Sequence, residues 1–99
     1  MNTITADQLR AKISNNDNIQ IIDIREDYEF EDNNIGGTNI PMENMLNSLD
    51  QIDASKQVII CCRTGKRSAA MIHTIERKLS LENIYSLEGG VFGFLGIKA

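Results

Sequence analysis

The chain holds two cysteines, Cys61 and Cys62, side by side and followed at once by Arg63, Thr64, Gly65, Lys66, Arg67 and Ser68. A thiol beside three cations is an arrangement for anionic sulfur or for an anionic ligand. The two thiols cannot easily bond to each other. Adjacent Cα atoms sit about 3.8 Å apart across a trans peptide, whereas a relaxed disulfide spans about 4.4–6.8 Å. Two neighbouring cysteines and a single histidine, His73, also make a poor ligand set for a metal. Neither a metal nor a cofactor is expected. The chemistry to consider is nucleophilic.

Residues 57–62, Gln-Val-Ile-Ile-Cys-Cys, form the most apolar run and read as a buried strand. Residues 66–79 read as the best helix, with Ala69, Ile72, Ile75 and Leu79 expected on its buried face. The stretch between them therefore joins the end of a strand to the start of a helix. That geometry presents backbone N–H groups with no helical acceptor, at the positive end of the helix dipole. Gly65 lets the backbone curl so that several N–H groups converge. Arg63, Lys66 and Arg67 add positive potential. Such a loop favours an anion, whether sulfur or phosphate. Thiols in these surroundings ionise more readily than free ones, so no histidine base is needed. His73 lies further along the helix and reads as a surface residue. Successive strand side chains face opposite ways, so Cys61 is expected in the core and Cys62 in the loop.

Other segments alternate in the same manner. Thr5 and Gln8 stand in capping-box spacing ahead of a helix carrying Leu9 and Ile13. Residues 19–24 read as a second buried strand, and 25–33 as a short acidic helix. A Gly-Gly turn and a brief strand follow at 35–41, stopped by Pro41. Residues 42–49 suggest a short helix with Met42, Met45 and Leu49 on one side. A last strand is expected at 83–87, and a helix or turn after it. Apolar strands interleaved with helices imply an α/β fold with a parallel sheet covered on both faces. Ligand sites in such sheets lie beyond the carboxyl ends of the strands. Two strands end in polar residues here, one with Asp23 and Arg25, the other with the cysteines.

Composition bounds the remaining possibilities. Ninety-nine residues suit one domain, residues 1–99. A net charge of −4 argues against a nucleic-acid partner. No apolar run is long enough to span a membrane, and the first residues do not resemble a secretory signal. A cytoplasmic protein with reduced cysteines is the expectation.

Three segments resemble the rhodanese-like sulfurtransferases. Residues 62–68, Cys-Arg-Thr-Gly-Lys-Arg-Ser, resemble the active-site loop of that family. Residues 21–41, with Asp23, Arg25, Glu26 and Pro41, resemble its Asp-x-Arg-Glu segment and following turn. Residues 87–94 resemble its Leu-x-Gly-Gly segment, although Phe94 stands where Trp is common. Asn34 stands where His is frequent. The resemblance implies a three-layer α/β/α rhodanese-like fold, with a mainly parallel sheet of about five strands and helices on both faces. It implies Cys62 as the catalytic residue and Arg63, Thr64, Gly65, Lys66, Arg67 and Ser68 as the anion cradle. Arg63 and Lys66 would recognise the donor. Asp23, Arg25 and Glu26 would support the loop, with Arg67 turning to Asp23 or Glu26.

The implied activity moves sulfane sulfur from a small donor, such as thiosulfate or a polysulfide, to a thiol or cyanide through a Cys62 persulfide. Two other readings remain at this point. The chain could be a persulfide carrier serving a protein acceptor in a sulfur-carrier activating system. It could also be a cysteine phosphatase or arsenate reductase. Counted from Cys61, the spacing to Arg67 and Ser68 fits a phosphatase, but Gly65 falls four residues on rather than three. Counted from Cys62, the loop to Arg67 has six residues, one fewer than in the rhodanese-related phosphatases.

Overall fold

The computed structural model describes residues 2–98. Five parallel strands form one sheet: β1 (Asn2–Ile4), β2 (Ile19–Asp23), β3 (Thr38–Asn39), β4 (Gln57–Cys61) and β5 (Ile84–Leu87), in the order β1-β5-β4-β2-β3. The helices are α1 (Ala6–Ser14), α2 (Asp27–Asp32), α3 (Met42–Met45), α4 (Lys66–Leu79) and α5 (Gly90–Leu95), with one 3₁₀ turn at Leu49–Gln51. No helix among the described residues is long and apolar enough to cross a membrane.

Strand alternation divides the core into two. Ile22, Ile24, Val58, Ile60, Cys62 and Ile84 face one side, where Met71, Ile72 and Ile75 of α4 and Met45 of α3 cover them. Ile59, Cys61 and Leu87 face the other, against Leu9 of α1 and Val91 of α5. The three-layer arrangement expected from the resemblance is therefore present. The paired cysteines lie on opposite sides of the sheet, as alternation requires.

The termini of α1 and α4 follow from their sequences. Thr5 caps α1 by accepting from the Gln8 N–H at 3.1 Å, while Gln8 accepts from the Thr5 N–H at 2.9 Å. Leu9 then turns inward and is fully buried. α4 occupies the expected residues and ends at Ser80, whose φ of +52° breaks the helix.

Three expectations need correction. β1 was absent from the sequence reading; it is three residues long, and only Ile4 among them is buried. The stretch expected as one helix over 42–49 divides after Met45, where Asn47 and Ser48 donate to carbonyls three residues back. Met42, Met45 and Leu49 nevertheless share one core. The buried face of α4 is Ser68, Met71, Ile72 and Ile75, while Leu79 is 38% exposed. Length explains this. Fourteen helical residues span about 21 Å, against about 16 Å for a five-residue strand. The last turn overhangs the sheet.

That difference sets a prediction. Ile72→Ala should cost about 2–5 kcal/mol of stability, and Leu79→Ala only a small fraction of that, both measured by urea unfolding. Equal losses would return Leu79 to the core.

Candidate active site

β2 and β4 lie side by side in the middle of the sheet, with Asp23 level with Cys61. Their carboxyl ends thus finish together. The Ile24 N–H donates to the Cys61 carbonyl at 2.9 Å, so the ladder continues for one step past β2. Cys62 is the first residue after β4, and its side chain turns into the loop.

The sulfur of Cys62 sits at the floor of that loop. The Gly65 N–H lies 3.1 Å from Sγ and the Ser68 N–H 3.3 Å from it. Both point at the sulfur, so the loop offers donors where negative charge would rest. Gly65 heads α4 with φ of +110°, a conformation that side chains other than glycine's rarely adopt. Ser68 holds the loop from below. Its hydroxyl donates to the Gly65 carbonyl at 3.0 Å and lies 2.6 Å from the hydroxyl of Ser86 on β5. With the Ser68 proton so used, Ser86 is the donor of the shared bond. The Gly65 carbonyl is thus engaged by the Ser68 hydroxyl and the Ala69 N–H, while the Gly65 N–H faces the sulfur.

The back of the loop is closed by α5. The Val91 N–H donates to the Cys62 carbonyl at 2.8 Å and the Phe92 N–H to the Arg63 carbonyl at 3.1 Å. This approach needs glycine at 90. A Cβ there would lie 2.4 Å from the Cys62 carbonyl oxygen, and φ is +61°.

Charged side chains brace the loop from the α2 side. Arg67 makes a two-pronged contact with Glu29, Nη1 to Oε1 and Nη2 to Oε2, each at 3.2 Å. This corrects the expected pairing with Asp23 or Glu26. Asp23 is wholly buried and its carboxylate is taken by Arg25, which donates from Nε to both oxygens at 3.1 Å and from Nη2 at 2.9 Å. Glu26 precedes α2, and its backbone N–H donates to Glu29 Oε1 at 3.1 Å. Glu29, one turn along, faces Arg67. Arg25 is itself only 1% exposed, and its remaining donors reach the Asn33 carbonyl at 2.6 Å and the Asn33 side-chain oxygen at 3.2 Å.

Arg67, through its side-chain bond to Glu29, holds that carboxyl below the ordinary carboxylate value. Burial pushes the Cys61 thiol far up, and the charge of Asp23 adds to this. Cys61 is therefore a protonated core thiol and no competitor for Cys62. Arg63, Thr64 and Lys66 are exposed at the loop tip, with the Arg63 guanidinium stacked 4.6 Å from the centre of the Phe92 ring. His73 is exposed on α4. No group of three or more His, Cys, Asp or Glu side chains among the described residues is placed to hold a metal. A groove of about 380 Å³ opens beside the loop, lined by Arg25, Tyr28, Glu29, Asp32, Arg63 and Phe92, among others. A larger hollow of about 470 Å³ lies between α1 and the start of β4 and shares no residue with the loop.

The description "Rhodanese-like domain" matches this chain over residues 5–96. The chain belongs to the rhodanese-like domain family. It is 35% identical over 91 residues to "Uncharacterized protein YqhL" of Bacillus subtilis, covering 91% of this chain and 69% of that protein. It is 26% identical over 92 residues to the "Probable adenylyltransferase/sulfurtransferase MoeZ" of Mycobacterium tuberculosis. The match covers 90% of this chain but only 23% of MoeZ. Among solved structures, a rhodanese-like domain protein from Staphylococcus aureus superposes with a TM-score of 0.84 at 28% identity, each chain covered in full.

Several residues of this rhodanese-like site were not found by reading the sequence. Glu29 carried a visible signal, as an acid three residues after Glu26 on an amphipathic turn. Ser86 did too, as the one aliphatic hydroxyl in the otherwise apolar or aromatic run 84–87. Phe92 and Gly90 had no partner until α5 was placed against the loop.

Two predictions follow from the ion pairs. Asp23→Ala strands the buried Arg25 charge and should cost about 3–5 kcal/mol, read by chemical denaturation; a loss near zero would mean that Arg25 finds water instead. The Glu29 pair should give pH-dependent stability. Its carboxyl loses its proton at lower pH when folded than when unfolded. Its contribution is thus complete above the ordinary carboxylate value and fades as pH falls through the lower, folded one. Wild type should therefore exceed Glu29→Gln in stability at pH 7, with the gap narrowing toward pH 3. A gap that widened on acidification would reverse the sign.

Proposed function

We propose that this protein is a sulfurtransferase that carries sulfane sulfur on Cys62. The observation that carries the reading is the Cys62 sulfur itself, held at the floor of a six-residue loop by the N–H groups of Gly65 and Ser68. In the first half-reaction the Cys62 thiolate attacks the outer sulfur of thiosulfate. A new S–S bond forms to Sγ, the old S–S bond breaks, and its electron pair leaves with sulfite. This is covalent catalysis in two steps. The terminal sulfur of the persulfide extends into the cradle. There the N–H groups of Lys66 and Arg67, which a helix start leaves without acceptors, stabilise its charge as an oxyanion hole does. Arg63 and Lys66 at the loop tip attract the anionic donor, and Thr64 completes the rim. Arg67, through Glu29, fixes the loop's shape. Asp23 and Arg25 act one layer further out, and Glu26 sets the start of α2.

Membership of the rhodanese-like family and the similarity to a protein named as a sulfurtransferase support this reading. The second half-reaction passes the sulfur to a thiol or to cyanide. A protein acceptor is the second reading, favoured by the match to one segment of the longer MoeZ chain. Phosphatase chemistry is disfavoured by the size of the loop. Of the acids nearest the loop, Asp23 and Glu29 are both engaged by arginines.

The test is intact mass after incubation with thiosulfate and removal of excess. Wild type and Cys61→Ser should each gain one sulfur atom, and Cys62→Ser none. A gain lost only in Cys61→Ser would overturn the assignment. So would turnover of an aryl phosphate without sulfur uptake.

A further inference from the structure

The groove beside the loop sets a carboxylate that the donor half-reaction does not use, Asp32, in one lining with Arg63 of the loop tip. α2 contributes Tyr28, Glu29 and Asp32 to its lining and Asn33 follows them, while the loop and α5 contribute Arg63 and Phe92. Arg25 and Glu29 are already spoken for, by Asp23 and Arg67. Two charges remain, one of each sign. Asp32 joins no ion pair among the described residues and has only the Asn33 amide, at 3.5 Å. Arg63 has no carboxylate partner among them either, but its guanidinium is steadied over Phe92. The Tyr28 side chain lines the same groove and is 69% exposed, a large aromatic surface left facing solvent. A volume of about 380 Å³ is near the lower end for small-molecule sites.

We infer that this groove receives the sulfur acceptor, and that the acceptor is a small thiol bearing both an ammonium and a carboxylate, the former directed to Asp32 and the latter to Arg63. The inference rests on the persulfide reading of Cys62. A ligand with one charge leaves one wall unmatched; a zwitterion matches both. Aromatic faces at Tyr28 and Phe92 suit the short carbon frame between the charges and the ammonium group. The transfer balances without an added reagent. The acceptor thiolate attacks the outer sulfur of the Cys62 persulfide, the bond to Sγ breaks, and its electron pair stays on Sγ. The acceptor leaves as a persulfide, and the proton given up by its thiol is released to solvent.

The experiment uses protein first loaded with thiosulfate and freed of excess, then mixed with one of four thiols. These are cysteine, cysteamine, 3-mercaptopropionate and 2-mercaptoethanol, and the readout is the rate at which the added sulfur mass disappears. Each variant is compared with wild type for the same thiol, which removes differences in intrinsic thiol reactivity. Asp32→Asn should slow discharge by cysteine and cysteamine about two- to five-fold, the scale of one exposed charge contact, and leave mercaptopropionate and mercaptoethanol unchanged. Arg63→Gln, charged with donor to the same sulfur mass as wild type, should slow cysteine and mercaptopropionate by a similar factor more than it slows the other two. Equal ratios for all four thiols in both variants would overturn the proposal while leaving the persulfide intact. Failure of wild type to load at all would instead remove the underlying reading. Slowing of mercaptoethanol as much as cysteine would reduce both residues to general supports of the loop.

Discussion

Arg25 carries a full charge into a place that solvent does not reach. Removing such a charge from water costs several kcal/mol after all relaxation, and the fold exists only because Asp23 and Asn33 accept nearly every donor that Arg25 has. Asp23 closes β2, and Asn33 follows α2. The pair therefore ties the end of a central strand to the far end of a helix. That places the intervening turn so that Glu29 faces Arg67. Asn39 extends the same cluster by donating to the Asp23 and Arg25 carbonyls at 3.0 and 2.9 Å, which seats β3 at the sheet edge. A buried pair of this kind adds little net stability over an apolar substitute. Its contribution here is geometric: it settles where α2 lies relative to the loop.

The loop itself is held on three sides by different chemistry. Glu29 holds it through charge, Ser86 through a buried hydroxyl chain, and α5 through two backbone donors. Each of these takes a loop carbonyl or side chain outward, and the N–H groups are left facing the sulfur. The polarity of the cradle thus comes mainly from where its carbonyls are sent. Cationic side chains at the rim add to a field that the backbone already makes.

Much of this was legible beforehand, for physical reasons particular to each element. Period-two burial separates Cys61 from Cys62 in a strand apolar on both faces, and the helix over 66–79 is bounded by a glycine and ends at the first residue forced into positive φ. Long-range pairing was not legible. β1 has no apolar pattern of its own and exists because β5 offers it an edge. The partner of Arg67 could not be chosen from charge alone, since three acids lay within reach along the chain and only burial showed that Asp23 was occupied. Ser68 was read as part of the anion cradle at the start of the helix. Its place on the buried face of α4, in contact with Ser86, follows from the helix phase, which an apolar-only count overlooks.

The bonds from Val91 and Phe92 to Cys62 and Arg63 bear on how the molecule comes to be built. Cys62 precedes its back brace by nearly thirty residues, with all of α4 and β5 between them. Contacts so far apart along the chain form late, because loop closure is entropically costly and must be offset by what forms with it. Until Val91 is in place, the Cys62 carbonyl is without its folded-state donor. Docking of residues 90–95 supplies the donors for the Cys62 and Arg63 carbonyls. The cradle around the Cys62 sulfur is therefore complete only when the last helix of the fold is in place.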